Sequence, residues 1–371
     1  MPALLNKLKT IQDKDQKPVW TGPDGKGWNG GITQSMLQKF LICRERFRIN
    51  SVLGLRPLDK FSKNMEYGNM WHCMEEDFAK ESANPHELLT KHTAELTKQY
   101  PLQQEEIIHW YEICKMQFEL YKSWWSEHGD VMDRMPLLEE YSFDSEYQLP
   151  SGRMVRLRGK YDSVDLVGGE IWLQENKTKG DIDEQKVERH LTFDLQTGMY
   201  MAALSLTQKF DDVIPHDAPI AGIRYNVIRR PLGGGKGSIR QKKKQTLEEF
   251  YEEFEGIIKT ATGPEWGMEA GEHFFFQRWN VPYSKDDLVK FQHECLDPIL
   301  EQLCDWWEDQ EKLALLGVGP FDGDKHWRTP YGMYSPLYGA QGSLNEVEEF
   351  LESGSILGLR KVDKLFRELD A

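Results

Sequence analysis

Residues 159–177 read GKYDSVDLVGGEIWLQENK. Apolar and alternating runs lie on either side of Gly168-Gly169, so the stretch folds as two strands joined by a glycine turn. Side chains two apart on a strand share a face, which puts Glu175 with Lys177, and the neighbouring strand can bring Asp162 beside them. Two carboxylates and an ammonium then meet. Carboxylate oxygens suit Mg²⁺ or Mn²⁺, ions that keep waters and accept a phosphate oxygen, while the lysine orients an attacking water or offsets charge on the phosphate. The chemistry implied is phosphodiester hydrolysis. The strand bearing Glu175 is apolar at Ile171-Trp172-Leu173, where a merely solvated charge is not expected.

Working outward, residues 139–148 and 153–167 alternate around the turn Pro150-Ser151-Gly152, and with 170–177 they make a three-strand meander. Helical spacing follows over 187–207, and 220–228 is a buried strand. Before the meander, a helix capped by Thr33 or Ser35 runs to Arg48, a second spans about 65–82, and 86–129 is a helical insertion. The order is helix, three strands, helix, strand. From Thr246 the pattern is mainly helical, closing with a Pro- and Gly-punctuated segment at 319–342 and a short C-terminal helix. The expected divisions are an extension at 1–31, a helical lobe at 32–135, the core at 136–232, a basic Gly-rich loop at 233–245 and a helical part at 246–371.

Further pairs share helix faces at i and i+4. His72 and Glu76 are one, an imidazole and a carboxylate able to complete a metal shell. Gln196 and Tyr200 are another, an amide and a phenol suited to a phosphate or an ordered water.

Taken in order, Gly68-x-x-x-His72 with Glu76 following, Gly159-x-x-Asp162, Glu175-x-Lys177 and Gln196-x-x-x-Tyr200 resemble the RecB-like branch of the PD-(D/E)XK nuclease superfamily. The resemblance covers about residues 32–230. It implies an α/β (α+β) restriction-endonuclease-like core, a central mixed sheet flanked by helices, with a helical N-terminal insertion and a mainly helical C-terminal part. It also implies metal-dependent DNA cleavage, with His72, Asp162 and Glu175 holding Mg²⁺ or Mn²⁺, Glu76 as a further ligand, Lys177 catalytic, and Gln196 and Tyr200 supporting the site. Exonuclease action on single- or double-stranded ends leads, in recombination, repair or phage replication beside a recombination or replication protein. A structure-specific endonuclease and a non-catalytic DNA-binding scaffold are the alternatives. Some relatives carry an iron–sulfur cluster on one upstream and three C-terminal cysteines. Here Cys43 is followed in the tail only by Cys295 and Cys304, so no cluster is expected.

The chain of 371 residues carries 46 basic and 61 acidic residues, a net charge of −15. That excludes a protein that coats DNA or an anionic membrane with its whole surface. A local basic face remains, because residues 224–244 hold Arg224, Arg229, Arg230, Lys236, Arg240, Lys242, Lys243 and Lys244 with no acid among them. We expect this loop, with Arg44 of the first helix, to track a DNA backbone. Five cysteines without paired short spacing make no disulfide framework, the N-terminal residues carry no signal-like apolar run, and no stretch is long and apolar enough for a membrane span. The expected compartment is the cytoplasm of a bacterium or phage-infected host.

Overall fold

The computed structural model describes residues 18–42, 44–57, 61–80, 84, 86–128, 134–182, 194–210, 212–231, 237–315 and 359–369. Helix α1 (Gln34–Ile42) is followed by β1 (Leu55–Pro57). Helices α2 (Lys63–Ala79), α3 (Glu87–Gln99) and α4 (Gln104–Glu127) come next, then the meander β2 (Arg134–Gln148), β3 (Met154–Val167) and β4 (Glu170–Lys179). Helix α5 (Leu195–Phe210) crosses to β5 (Ile220–Arg229). The chain continues through α6 (Leu247–Thr260), β6 (Phe276–Pro282), α7 (Lys285–Phe291) and α8 (Asp297–Leu315), and β7 (Leu359–Lys361) returns to pair with β1.

The main sheet runs β2-β3-β4-β5-β6. Only β4 and β5 are parallel, which is why a whole helix must connect them. Strand β5 is buried along most of its length because both its faces are covered. Ile223, Tyr225 and Val227 join one core with Trp20, Phe40 of α1, Ala202 of α5 and Leu303 of α8, while Ile228 joins a second core with Trp71 of α2, Phe118 of α4 and Phe254 of α6. The sheet is therefore the middle layer of a helix–sheet–helix sandwich. An α/β restriction-endonuclease-like fold, a mixed sheet flanked by helices, is what the structure has.

Two features differ from the sequence reading. Strand β6 lies in the part expected to be mainly helical, and it closes the sheet antiparallel to β5. Pro282 at its end suits an edge strand that needs no donor there. Trp20 falls within the expected extension, yet it is buried in the first core and donates from Nε1 to the Gly31 carbonyl at 2.8 Å. The last described residues form β7 and a single 3-10 turn (Arg367–Leu369), while the expected Pro- and Gly-punctuated segment at 319–342 and the residues up to 358 lie outside the described ones. Lastly, α5 is described only from Leu195; the earlier residues of the expected helix lie outside the described ones.

Between the sheet and the second core lies a buried polar layer centred on Arg134. Its guanidinium donates to Asp165 Oδ2 at 2.7 Å and Ser163 Oγ at 3.0 Å, pairs with Glu139, and lies 3.7 Å from Glu75 Oε2. Glu75 in turn accepts from Asn226 Nδ2 at 3.2 Å and Trp71 Nε1 at 3.3 Å. Arg134 and Glu139 are five apart, which on a regular strand puts them on opposite faces. The register slip between Pro136 and Leu138 brings them to the same one.

Candidate metal centre

Strands β3 and β4 are hydrogen-bonded only over 163–167 with 170–174. Past Gln174, β4 continues along β5 instead, as far as Lys179 opposite Arg229. Asp162 and Glu175 are the first residues beyond the last pair, so they sit in the fork where the strands part. One contact spans it: Asp162 Oδ2 accepts from the Asn176 N–H at 2.7 Å.

A second irregularity falls at the same place. Leu138 and Phe143 of β2 both belong to the first core although five residues apart, and so do Tyr161 and Val164 of β3 although three apart. Strict alternation forbids both, so each strand changes sides in between. The residues between are Glu140 and Asp162, framed by the facing pairs Glu139 with Ser163 and Tyr141 with Tyr161. Glu140 has φ +46°, the single left-handed non-glycine residue described, a conformation that costs about 1–2 kcal/mol. The twist turns its carboxylate toward Asp162 and α2.

Helix α2 packs closely on β4 at a glycine. A Cβ on Gly68 would lie 3.3 Å from Thr178 Oγ1 of β4, a tight contact that a larger residue could meet only by pushing that hydroxyl aside. One turn on, His72 Nδ1 lies 2.9 Å from Glu140 Oε1 and 3.9 Å from Asp162 Oδ1. Ligand atoms of His72, Glu140 and Asp162 all fall within 4.8 Å of one another. Burial opposes a charged imidazole, but Asp162 and Glu140 outweigh it and push the His72 pKa up to about 9. For Glu140, burial is overcome by His72 and by Lys160, whose Nζ is 2.6 Å from Oε2, and the carboxyl is held below its usual range.

Glu175 is 1% exposed. Its Oε2 accepts from Lys177 Nζ at 2.5 Å and Gln196 Nε2 at 3.1 Å, while Oε1 is buried with no hydrogen-bond partner. Burial raises its pKa to about 7, with Asp162 adding to the effect and Lys177 opposing it. For Lys177 burial works toward the neutral amine, but Glu175 and Asp162 outweigh it and the ammonium is held more firmly than usual. Tyr200 packs edge-on against Phe143 and Tyr161, and Gly159 makes room, since a Cβ there would meet Phe143 at 2.5 Å and Tyr200 at 3.0 Å. Burial, then Glu175 and Asp162, raise the Tyr200 phenol above its usual range, so it stays a hydroxyl.

The sequence pattern that defines the PD-(D/E)XK nuclease superfamily matches residues 32–277, about two thirds of the chain. The protein is a PD-(D/E)XK superfamily member. No curated protein matches the chain closely enough to count as a relative.

Nucleases of this superfamily generally use divalent metals, and the residues here fit such an ion. The donor set is carboxylate oxygen and imidazole nitrogen, and the orphaned Glu175 Oε1 is a buried acceptor that lacks a positive partner. Among the residues expected at the PD-(D/E)XK site, the structure gathers His72, Asp162, Glu175, Lys177, Gln196 and Tyr200 around the fork. Glu76 is not brought to the His72–Glu140–Asp162 group. Its carboxylate pairs with Lys80 at i+4, and Glu140 of β2 stands where a second acid was sought on α2. Glu140 escaped the sequence reading because strict alternation hides a residue that changes sides; two adjacent acids where a strand should alternate are the trace it leaves.

The expected DNA contacts divide. Arg229 is 4% exposed, donates to Asp181 Oδ1 at 2.7 Å and covers the Phe274 ring at 3.9 Å, so it faces inward as a clamp. Arg230 donates to the Thr178 carbonyl at 2.7 Å. Arg240, Lys243 and Lys244 are exposed, and exposed Lys242 is 2.7 Å from Glu253. Arg44 lies over the Phe40 ring at 5.0 Å. Lys236 and Cys43 lie outside the described residues.

Proposed function

We propose that the protein is a Mg²⁺- or Mn²⁺-dependent deoxyribonuclease of the RecB-like branch. The observation that carries the reading is the fork itself, where His72, Glu140 and Asp162 stand beside a buried carboxylate with an unpartnered oxygen and a lysine bound to its other oxygen. In this account Asp162, Glu175 and His72 hold the ion, with Glu140 as a further ligand. The ion, when bound, polarises the scissile phosphate and lowers the pKa of a water. Lys177 faces the phosphate and offsets its growing charge, and Gln196 fixes the Glu175 carboxylate. Tyr200 closes the pocket wall and stays protonated to donate to a phosphate oxygen or a water. Arg44, Arg230, Arg240, Lys242, Lys243 and Lys244 guide the DNA backbone.

Exonuclease action on DNA ends, in recombination, repair or phage replication within a bacterial cytoplasm, is the finer reading. It rests on the order and spacing of the motifs. A structure-specific endonuclease would use the same chemistry. Incubating the protein and Mg²⁺ with end-labelled linear DNA and with closed circular DNA separates them. An exonuclease degrades only the linear substrate, an endonuclease opens the circle, and inertness toward both with Mg²⁺ and with Mn²⁺ would leave a DNA-binding scaffold.

A further inference from the structure

The hydrolytic machinery leaves one cation at the metal centre without a role, Lys160. Tyr141 faces Tyr161 and Ser142 faces Lys160 across the β2–β3 pair, so Lys160 stands diagonally across from Glu140. Tyr161 points into the first core, which turns its neighbours Lys160 and Asp162 to the opposite face, the side of His72. The two oxygens of Glu140 then have different partners. Oε1 lies 2.9 Å from His72 Nδ1, which is itself 3.9 Å from Asp162 Oδ1, whereas Oε2 lies 2.6 Å from Lys160 Nζ. The Glu140 side chain is 12% exposed and that of Lys160 36%, so the carboxylate is shielded while its cation reaches solvent.

A carboxylate gives a metal ion either one oxygen or both. With an ammonium on Oε2, Glu140 has only Oε1 to give. The number of ligand oxygens is what separates the hard cations, since Ca²⁺ takes about six to eight and binds both oxygens of a carboxylate readily, while Mg²⁺ takes about six at shorter distance and keeps several of them as water. A carboxylate restricted to one oxygen therefore suits the smaller ion. The left-handed backbone of Glu140 sets the direction of the side chain, and His72 and Lys160 hold its carboxylate from either side.

We propose that Lys160 determines metal specificity, holding Glu140 to a single coordinating oxygen so that the site favours Mg²⁺ over Ca²⁺. This role rests on the metal-dependent nuclease reading and deepens it, because it gives the choice of ion to a residue of this chain. Lys160 acts through Glu140, so it is a positioning residue rather than a ligand. Its ammonium repels two dications of equal charge alike, and the ratio of their affinities therefore isolates the effect on ligand number.

The test uses the full chain loaded with Mn²⁺, with free Mn²⁺ read by electron paramagnetic resonance as Mg²⁺ or Ca²⁺ is added. The ratio of the two half-displacing concentrations measures the preference. Lys160→Met should shift this ratio toward Ca²⁺ by about tenfold, the scale of effect expected when a metal ligand loses its outer partner, and Lys160→Arg should keep the wild-type ratio. In a Glu140→Asn background, Lys160→Met should change the ratio by less than about twofold, because the lysine acts through that carboxylate. An unchanged ratio in Lys160→Met would overturn the proposal, including the case in which both affinities fall together, as loosened packing would produce. An equal shift in the Glu140→Asn background would overturn it as well. A wild type that binds no Mn²⁺ would instead overturn the metal centre itself, and the role of Lys160 with it.

Discussion

Glu140 accepts a left-handed backbone so that its carboxylate can face His72 and Asp162. Strain at such a place persists only when the surroundings over-determine it, here through the facing pairs on either side and the contacts to His72 and Lys160. Asparagine tolerates the same conformation but carries no charge. Glu140→Asn should therefore fold like the wild type and lower Mn²⁺ affinity at least about tenfold by calorimetric titration, a loss typical of damaged metal shells. Equal affinities would remove Glu140 from the shell. Protons should compete for the same groups: burial holds the Glu175 carboxyl above its usual range, Asp162 and Glu140 push the His72 pKa up to about 9, and both protons must leave before the ligands are free. Apparent Mn²⁺ affinity should thus rise by at least about tenfold between pH 6 and pH 8. A flat profile would mean that neither group binds the ion.

At the scale of elements, legibility followed periodicity. The meander, its glycine turn and the Glu175–Lys177 pair were readable because strand alternation holds there, and Gly68 and His72 because helical spacing does. Where alternation breaks, the reading failed. Glu139 and Glu140 look like two surface acids, yet one enters the buried Arg134 layer and the other the metal group. Strand β6 was missed since Gln277, Arg278 and Asn280 weaken its apolar signal, and only the pairing with β5 makes it a strand. The Arg134 layer yields its own prediction. One guanidinium there faces Glu75, Glu139 and Asp165, and burial, with Arg134 opposing and Asp165 adding, already raises the Glu139 pKa to about 9. Arg134→Met should destabilise the fold by about 3–5 kcal/mol in urea denaturation, the cost of leaving buried carboxylates without their cation. A loss below about 1 kcal/mol would mean that the layer is hydrated rather than closed.

The whole molecule sets a problem of approach, because a chain at −15 repels DNA at long range. Productive encounter depends on a few concentrated cations, of which Lys243 and Lys244 are exposed and Lys242 is partly spent on Glu253. Replacing Lys243 and Lys244 with Ala should weaken DNA binding and flatten its salt dependence, the log–log slope falling by about 0.9 per lost contact on duplex and about 0.7 on single strands. An unchanged slope on both would move the DNA path to the α1 side near Arg44. The sandwich fixes where the chemistry can occur, since both sheet faces are covered by helices and the strands part at Asp162 and Glu175. Cleavage of end-labelled DNA by wild type and by Lys177→Ala, each verified as folded, with Mg²⁺ and with EDTA, tests that claim most directly. The account predicts cleavage by the wild type that EDTA abolishes and a loss of at least about a hundredfold in the variant; equal cleavage by the two proteins, or cleavage that survives EDTA, would contradict it.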